Sequence, residues 1–482
     1  MMAVGKLSRF TSRGRRSRVL AGVAMLAVAS VVGVAVANWI MLTVAGLAGI
    51  AVIVLLLCRL DLVVALLAAD FFFNAYLNHG AGIVTIDKII GALAVTAWIL
   101  EWVVNRRPVL GNRQLWVIGA FLAWTAVSIV GASNDKAALV ASLRYLTFAI
   151  LYFLVIQAVR GERRQADTLL RVILLASTAA SIIGLVVFFS HHVFRASGPI
   201  QDPNDFGFIL ASSVPLAIYQ ARWAATRWGK AACGAAVVLN LACTLATFSR
   251  SALTGLAIAT GWALLTGRLR LRWVLAVLAC LAGILAVTFE AAPRLIDVAF
   301  GQKTHVATQN VDVRFGYYRV EIKEWEHYPL TGVGPGNFSY HFYQFAPDVQ
   351  ESLPFPSNVL TISGEEAYLI ILAEQGTPGL ALFLGYLALS WVDLRRRFPD
   401  DERRDQLQAA LATGFIVACI GALFLTEQYY PPLWYLPALA AGLATSGPGS
   451  KAAYPADSLL GYASTSLLGY ASTRILASGA HR

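Results

Sequence analysis

The chain has few charged residues and few cysteines. Only 13% of its 482 residues are charged and 58% are hydrophobic, whereas soluble domains are roughly 25% charged and about 45–50% apolar. This composition excludes an ordinary soluble domain and predicts a protein embedded in lipid. The cysteines lie within or at the ends of apolar runs and show no paired spacing, which argues against disulfides and a zinc site. They are Cys58, Cys233, Cys243, Cys280 and Cys419.

The sequence has long apolar runs separated by short basic clusters. About fourteen runs have the length of about 17–25 residues that crosses a bilayer as a helix. Residues 1–37 resemble a signal peptide, but a second apolar run follows at once, so we expect a retained first span. The fold class predicted is all-α, a polytopic bundle of about 12–14 spans. The runs are centred near residues 28, 48, 69, 95, 123, 151, 179, 212, 239, 258, 281, 380, 416 and 439.

The net charge of +11 is distributed as membrane topology requires. Cytoplasmic loops retain Lys and Arg, and an N-terminus in the cytoplasm places every basic cluster there. The C-terminus then lies on the same side. The clusters are Arg106, Arg107 and Arg113; Arg160, Arg163 and Arg164; Arg222, Arg227 and Lys230; Arg268, Arg270 and Arg272; and Arg395 to Arg397.

These patterns divide the chain into four parts. A multi-span region covers residues 1–289, a large extracytoplasmic loop covers 290–366, and the C-terminal spans cover 367–447. The last part, 448–482, contains SLLGYAST twice in tandem, too few copies for a solenoid. We expect a flexible cytoplasmic tail; weak contact of its Leu and Tyr residues with the membrane surface is the alternative.

The large loop contains an amphipathic helix pattern with a start signal before it and a stop signal after it. Asp312 is a plausible N-cap, and Pro329 with Gly332 ends the pattern. The helix is expected to pack on the membrane region through its apolar positions, which recur at steps of three and four. These positions are Phe315, Tyr318, Ile322 and Trp325.

Two arginines are candidates for binding an anion. Arg250 lies at the outer boundary of a span, where a charge is costly unless it is paired or wet; the alternative is a side chain that snorkels to the headgroups. Arg314 lies in the first turn of the amphipathic helix, where the helix dipole disfavours a cation and an anionic ligand would offset it. The alternative is a solvated charge beside Asp312.

Carboxylates precede two of the spans on the same side. Glu365 or Glu366 could act as a general base, or both could be acidic residues at a helix start. Asp202 and Asp205 are equally compatible with helix caps. The histidines 191, 192, 305, 327 and 341 have no metal-ligand spacing. The glycines of 332–336 follow a helix and lack the strand and Lys of a phosphate loop, so we expect a turn along the membrane surface.

Four stretches in this order resemble the superfamily of O-antigen ligases and repeat-unit polymerases, which assemble bacterial envelope glycans. The resemblance covers much of residues 200–385. The stretches are DPNDFGF at 202–208, FSRSALTGL at 248–256, Arg314 followed after fourteen residues by PLTGVGPGNF, and EEAYLIILAEQGTPGL at 365–380.

The resemblance implies an enzyme of the bacterial cytoplasmic membrane with its active site on the outer face. Its arginines at the positions of Arg250 and Arg314 have been read as groups that bind the diphosphate of a lipid-linked glycan donor. From its chemistry, the Glu365 carboxylate could serve as the general base if it lies within hydrogen-bond reach of the acceptor hydroxyl. Arg319, Glu366, Asp202, Asp205 and His341 are the candidates for substrate binding. No metal or cofactor is implied.

The resemblance favours a metal-independent inverting glycosyltransferase that polymerises repeat units carried on undecaprenyl diphosphate. Its partners would be that donor, a glycan or lipid acceptor, membrane lipids, and a flippase and chain-length regulator. The alternative is ligation of a finished glycan to lipid A core; the ligase branch usually has His-Asn where this chain has Glu365-Glu366. A lipid-linked oligosaccharide flippase is a third reading, but ionisable groups deep in the spans are few, with Asp70 and Glu101 the nearest examples.

Overall fold

The computed structural model describes residues 40–73, 85–190, 193, 195–200, 202–272, 274–275, 278–279, 282–283, 314–346, 364 and 366–445. Every regular element in these ranges is a helix, which confirms the all-α class. The expected first span, Asp312, Glu365 and the tandem tail lie outside the described residues. The helices are α1 (Ile40–Cys58), α2 (Leu60–Asp70), α3 (Ile86–Asn105), α4 (Arg113–Ser128), α5 (Asp135–Val159), α6 (Arg163–Ser190), α7 (Pro203–Trp223), α8 (Arg227–Ala246), α9 (Arg250–Leu265), α10 (314–327), α11 (Phe338–Phe345), α12 (Ala367–Leu394), α13 (Glu402–Gly421) and α14 (Pro432–Ala444).

Several helices have the length and composition of membrane spans. Among the described residues, five helices are long and apolar enough, and α1 with α2 forms a further pair bent by 106°. The count is lower than the predicted number of spans for physical reasons. α13 begins with four charged residues and α14 has only 13 residues, while two expected spans lie wholly or partly outside the described ranges. The chain is a membrane protein of all-helical construction.

The basic clusters meet at one end of the bundle, which we call the basic end. The Arg403 Nη2 of α13 lies 2.6 Å from the Asp167 carboxylate of α6. Arg222 at the end of α7 lies 2.6 Å from Glu402, and Arg268 donates to the main-chain oxygen of Arg395. Glu101, one of the two expected deep carboxylates, pairs here with Arg107 and therefore lies near the end of its helix.

α12 is broken at Gly376, whose φ of 68° and ψ of −174° are not helical. The rings of Tyr368 and Phe383 lie 6.2 Å apart although fifteen residues separate them, whereas a straight helix would separate their Cα atoms by about 22 Å. The chain therefore folds back at Gly376 and Pro378. A single straight span over the whole of α12 does not fit this distance.

The glycine turn 332–336 packs against this break. Val333 N–H donates to the Ala373 carbonyl at 2.9 Å, and Gly334 N–H donates to the Glu374 carbonyl at 3.0 Å. These carbonyls accept from the turn because the helix does not continue past Gly376. A Cβ on Gly332 would lie 2.3 Å from the Glu374 carbonyl carbon. The expected turn is confirmed, and its glycines allow a close approach of two backbones.

The expected packing face of α10 is wrong for Phe315 and Ile322, while Trp325 does contact the membrane region, because its Nε1 donates to Thr377 Oγ1 of α12 at 3.0 Å. Phe315 is 58% exposed and Ile322 is 37% exposed. The helix instead buries Tyr317 and Val320 against α11, where the Tyr317 and Phe342 rings lie 5.3 Å apart. Periodicity identified the more apolar face, but the covering element is α11, whose aromatic residues select the other side. Two carboxyl side chains, Glu321 and Glu324, are buried as a result.

Candidate functional site

The motifs DPNDFGF at 202–208 and FSRSALTGL at 248–256 lie side by side at the end of the bundle opposite the basic end. Asp202 caps α7 by accepting from Asn204 N–H at 2.7 Å and Asp205 N–H at 3.1 Å, so the capping alternative is confirmed for Asp202. A Cβ on Gly207 would lie 2.7 Å from Thr247 Oγ1. The start of α7 is thus packed against the turn that leads into α9, where Ser249 is the N-cap.

Arg195 joins these motifs and was not predicted. Its Nε donates to the Thr247 carbonyl at 2.7 Å, and Nη2 donates to Asn204 Oδ1. Burial lowers the pKa of Arg195, the Asp202 carboxylate raises it, and the positive charge of Arg314 lowers it again. Arg195 and Arg314 are therefore near enough to repel. The signal in the sequence is a lone arginine in a loop that is otherwise poor in positive charge.

Arg314 starts α10 and contacts the loop between α13 and α14. Its Nη1 donates to the Phe424 carbonyl at 3.2 Å. We call residues 422–431 the hub loop, because Tyr430 in the same loop donates its hydroxyl to the Asp205 carboxylate. Arg250 is exposed at the first position of α9. The hub loop thus contacts both Arg314 and Asp205, and Arg195 contacts Asn204, the residue before Asp205.

Glu366 is a buried N-cap of α12. Its carboxylate accepts from the N–H groups of Tyr368, at 3.1 Å, and Leu369, which confirms the helix-start alternative for this residue. Burial raises the pKa of Glu366 to about 7, against the opposing effect of the two N–H donors. The start of α12 is further fixed by the Ala367 N–H, which donates to the Ala422 carbonyl in the hub loop at 2.9 Å.

His341 and Arg319 occupy different environments. His341 is largely buried, and its Nε2 lies 2.7 Å from Ser133 Oγ, so it links α11 to the loop before α5. Arg319 is exposed on α10. No group of three or more His, Cys, Asp and Glu side chains in the described part of the chain is arranged to hold a metal ion.

Two of the buried acids that the sequence analysis missed, Glu324 and Glu374, lie near the break in α12. Glu374 precedes the break in α12, and its Oε1 accepts from Phe338 N–H at 3.3 Å. Glu324 on α10 is fully buried, and neither carboxyl oxygen has a hydrogen-bond partner among the described residues. Burial, and secondarily the charge of Glu374, raises the pKa of Glu324 to about 10. The signal for Glu374 in the sequence was its position two residues before Gly376-Thr377-Pro378, which breaks the helix.

Residues 235–384 match the family model described as O-antigen ligase. This match confirms the resemblance to the O-antigen ligase and polymerase superfamily for that part of the chain, and it implies a glycosyltransferase-type ligase or polymerase. No curated protein matches the chain.

The matched domain, residues 235–384, includes both arginines predicted from the sequence, the glycine turn and the break in α12. Arg195, the start of α7 and the hub loop lie outside the matched range, yet they contact residues within it. The candidate site is therefore assembled by the domain together with helices on both sides of it.

Proposed function

We propose that the protein polymerises lipid-diphosphate-linked oligosaccharide repeat units on the outer face of the bacterial cytoplasmic membrane. The observation that carries the proposal is that two arginines flank the start of α7 and the hub loop at the end opposite the basic end: Arg195 contacts Asn204 of α7, and Arg314 contacts Phe424 of the hub loop. Basic loops are retained in the cytoplasm, so these two arginines would face outward. Two permanent charges beside one loop suit a diphosphate.

The chemistry is a single displacement. The acceptor hydroxyl oxygen attacks the anomeric carbon of the donor, and the bond between that carbon and the diphosphate oxygen breaks. The hydroxyl proton passes to a carboxylate, and undecaprenyl diphosphate leaves with the electron pair. One displacement inverts the anomeric carbon. Arg314 and Arg250, with Arg195, would stabilise the charge that develops on the phosphate oxygens.

Glu365 is the proposed general base, because a carboxylate within hydrogen-bond reach of the attacking hydroxyl can accept its proton. Its neighbour Glu366 is fixed as the cap of α12. The residues proposed to line the saccharide path are Arg319, Asp202, Asp205, Glu366 and His341. Three of them, Asp202, Glu366 and His341, are proposed to act chiefly by holding the surrounding helices and loops in place. A flippase that delivers donors and a chain-length regulator would be the protein partners.

Ligation of a finished glycan to lipid A core is the second candidate, and the description of the matched family favours it. Both reactions use the same donor and leaving group. The glycan phenotype of a deletion strain separates them. Loss of long chains with single repeats retained supports polymerisation, and unattached long chains support ligation.

The test of the enzyme uses proteoliposomes that receive lipid-linked donor on one side only. Wild-type protein is expected to form new glycosidic bonds, and Glu365→Gln is expected to lose about 100-fold or more of the rate while still binding donor. Glu326→Gln is the matched control, since Glu326 is an exposed carboxylate on the same end that pairs with Lys323. Normal turnover by Glu365→Gln would exclude the proposed base. Movement of donor across the bilayer without bond formation would show a flippase instead.

A further inference from the structure

Arg144 is a charged residue on an apolar helix. It lies nine residues after the start of α5, about 13 Å along the helix axis. Its neighbours on the same side, Val140 and Leu143, are 45% and 50% exposed, and Arg144 is itself exposed. A cation within such an apolar surface is costly unless a polar group or ligand compensates it.

The contacts of Arg144 orient its guanidinium without neutralising it. Its Cζ lies 5.7 Å from the centre of the Tyr429 ring. Among the described residues, none forms a salt bridge with Arg144. Glu374 interacts with it electrostatically, but that carboxyl group is buried and accepts from the Phe338 N–H. An aromatic ring attracts a nearby cation without removing its charge, so the guanidinium group can still bind an anion.

Tyr429 belongs to the hub loop, which also contacts the first arginine site. Phe424 in this loop accepts from Arg314, and Tyr430 donates to Asp205. Arg144 therefore contacts the loop through a different residue and from a different helix. The loop lies between two positions that each present a guanidinium group.

We propose that Arg144 and the Tyr429 ring form a second binding site for a lipid-borne phosphate group, separate from the Arg314 and Arg195 site. The apolar side of α5 beside Arg144 suits the lipid chain, and the guanidinium suits the phosphate. This inference rests on the proposed function. Polymerisation joins two lipid-linked molecules, so both donor and acceptor carry a diphosphate, whereas ligation to a lipid A core needs one.

The test counts lipids bound to the purified full-length protein by native mass spectrometry. The probes are undecaprenyl diphosphate and, in a separate arm, phosphatidylglycerol. Wild-type protein is expected to bind two molecules of undecaprenyl diphosphate, and Arg144→Gln and Arg314→Gln are each expected to bind one. Arg144→Lys retains the charge but loses the planar fork, so its second binding step is expected to weaken about tenfold.

Arg171→Gln is the control, because Arg171 is an exposed arginine eight residues into α6. It should bind two molecules. Loss of phosphatidylglycerol from Arg144→Gln would support the site with a phospholipid headgroup as its source. Loss of the diphosphate alone would support an acceptor site. Two molecules bound by Arg144→Gln would overturn the inference.

Failure of this inference is distinguishable from failure of the proposed function. If Arg144→Gln binds two diphosphates and still forms glycosidic bonds, only the second site is excluded. If wild-type protein forms no bonds, the proposed function fails, while the lipid count still reports the site. Thermal unfolding of Arg144→Gln and Arg144→Lys verifies that both variants fold.

Discussion

The two ends of the bundle treat their arginines differently. At the basic end, carboxylates pair with Arg107, Arg222 and Arg403, while Arg268 and Arg397 donate to main-chain oxygens. At the opposite end, Arg195 donates to the Thr247 carbonyl and the Asn204 side chain, and Arg314 donates to the Phe424 carbonyl. A carboxylate cancels the charge of an arginine and joins helices, whereas a carbonyl orients the guanidinium and retains its charge. We therefore propose that the paired arginines of the basic end are structural and that Arg195 and Arg314 bind ligand.

The largest effect that tests this comparison is expected at Arg314. Arg314→Gln should lower the rate of glycosidic-bond formation in proteoliposomes by about 100- to 1000-fold, the typical cost of removing one donor that stabilises developing charge. Its unfolding midpoint in detergent is expected to fall less than that of Arg403→Gln, because the side chain of Arg314 is only partly buried where it donates to the Phe424 carbonyl.

Arg403→Gln supplies the contrasting half of this prediction. Asp167 is buried and also accepts from the Tyr219 hydroxyl at 2.9 Å, so removal of its arginine leaves a buried carboxylate poorly compensated. We expect a loss of about 3 kcal/mol in the free energy of unfolding, with normal transfer per folded molecule. The reverse assignment of the two effects would refute the comparison between the ends.

Adding a single methyl group at a glycine tests how the elements at the site end are held together. Gly332 and Gly267 both have φ near +70°, but a Cβ would meet the α12 backbone at Gly332 and open space at Gly267. Gly267→Ala should lower the free energy of unfolding by about 1 kcal/mol for the backbone conformation alone. Gly332→Ala should lower it by about 3 kcal/mol and reduce transfer, because the turn must separate from the break in α12.

Thermal unfolding of the two glycine variants, measured side by side, checks this difference. Equal destabilisation would mean that the contact between the turn and α12 contributes little. Unchanged transfer by folded Gly332→Ala would show that the docking of the turn is not needed for the reaction.

The all-α class and the common end of the basic loops could be predicted from the sequence. Apolar runs and basic loops are selected by the bilayer, and their positions do not depend on contact with a particular neighbouring helix. Arg163, Arg222 and Arg268 could therefore be assigned to one end before any contact was known. Capping was readable at Asp202, since the carboxylate and the N–H groups that it accepts from are adjacent in sequence.

The features that were missed depend on distant contacts. The break at Gly376 is stabilised by a turn some forty residues earlier, and the buried face of α10 is selected by α11. Arg144 was overlooked because it is a single charge inside an apolar run. Its relation to Tyr429 joins residues nearly three hundred positions apart.

The last prediction concerns the buried acid of α10. Glu324 faces Glu374 of α12, and its own helix also buries Glu321. Burial favours the neutral form of Glu324 and raises its pKa to about 10. The folded protein therefore keeps a proton on Glu324 at neutral pH, whereas the unfolded chain, with an ordinary glutamate pKa near 4.3, does not.

The sign of the pH dependence follows from this difference in bound protons. The stabilising contribution of the neutral acid is fully present below the unfolded pKa and declines as pH rises toward about 10, with a slope of at most about 1.4 kcal/mol per pH unit for one group. Glu324→Gln mimics the neutral acid and should flatten the decline in unfolding midpoint between pH 5 and 9. Glu326→Gln, an exposed carboxylate on the same helix, should leave the profile unchanged. An identical slope in wild-type protein and Glu324→Gln would mean that Glu324 is ionised in the folded protein, and that the end bearing the arginines holds a buried negative charge as well.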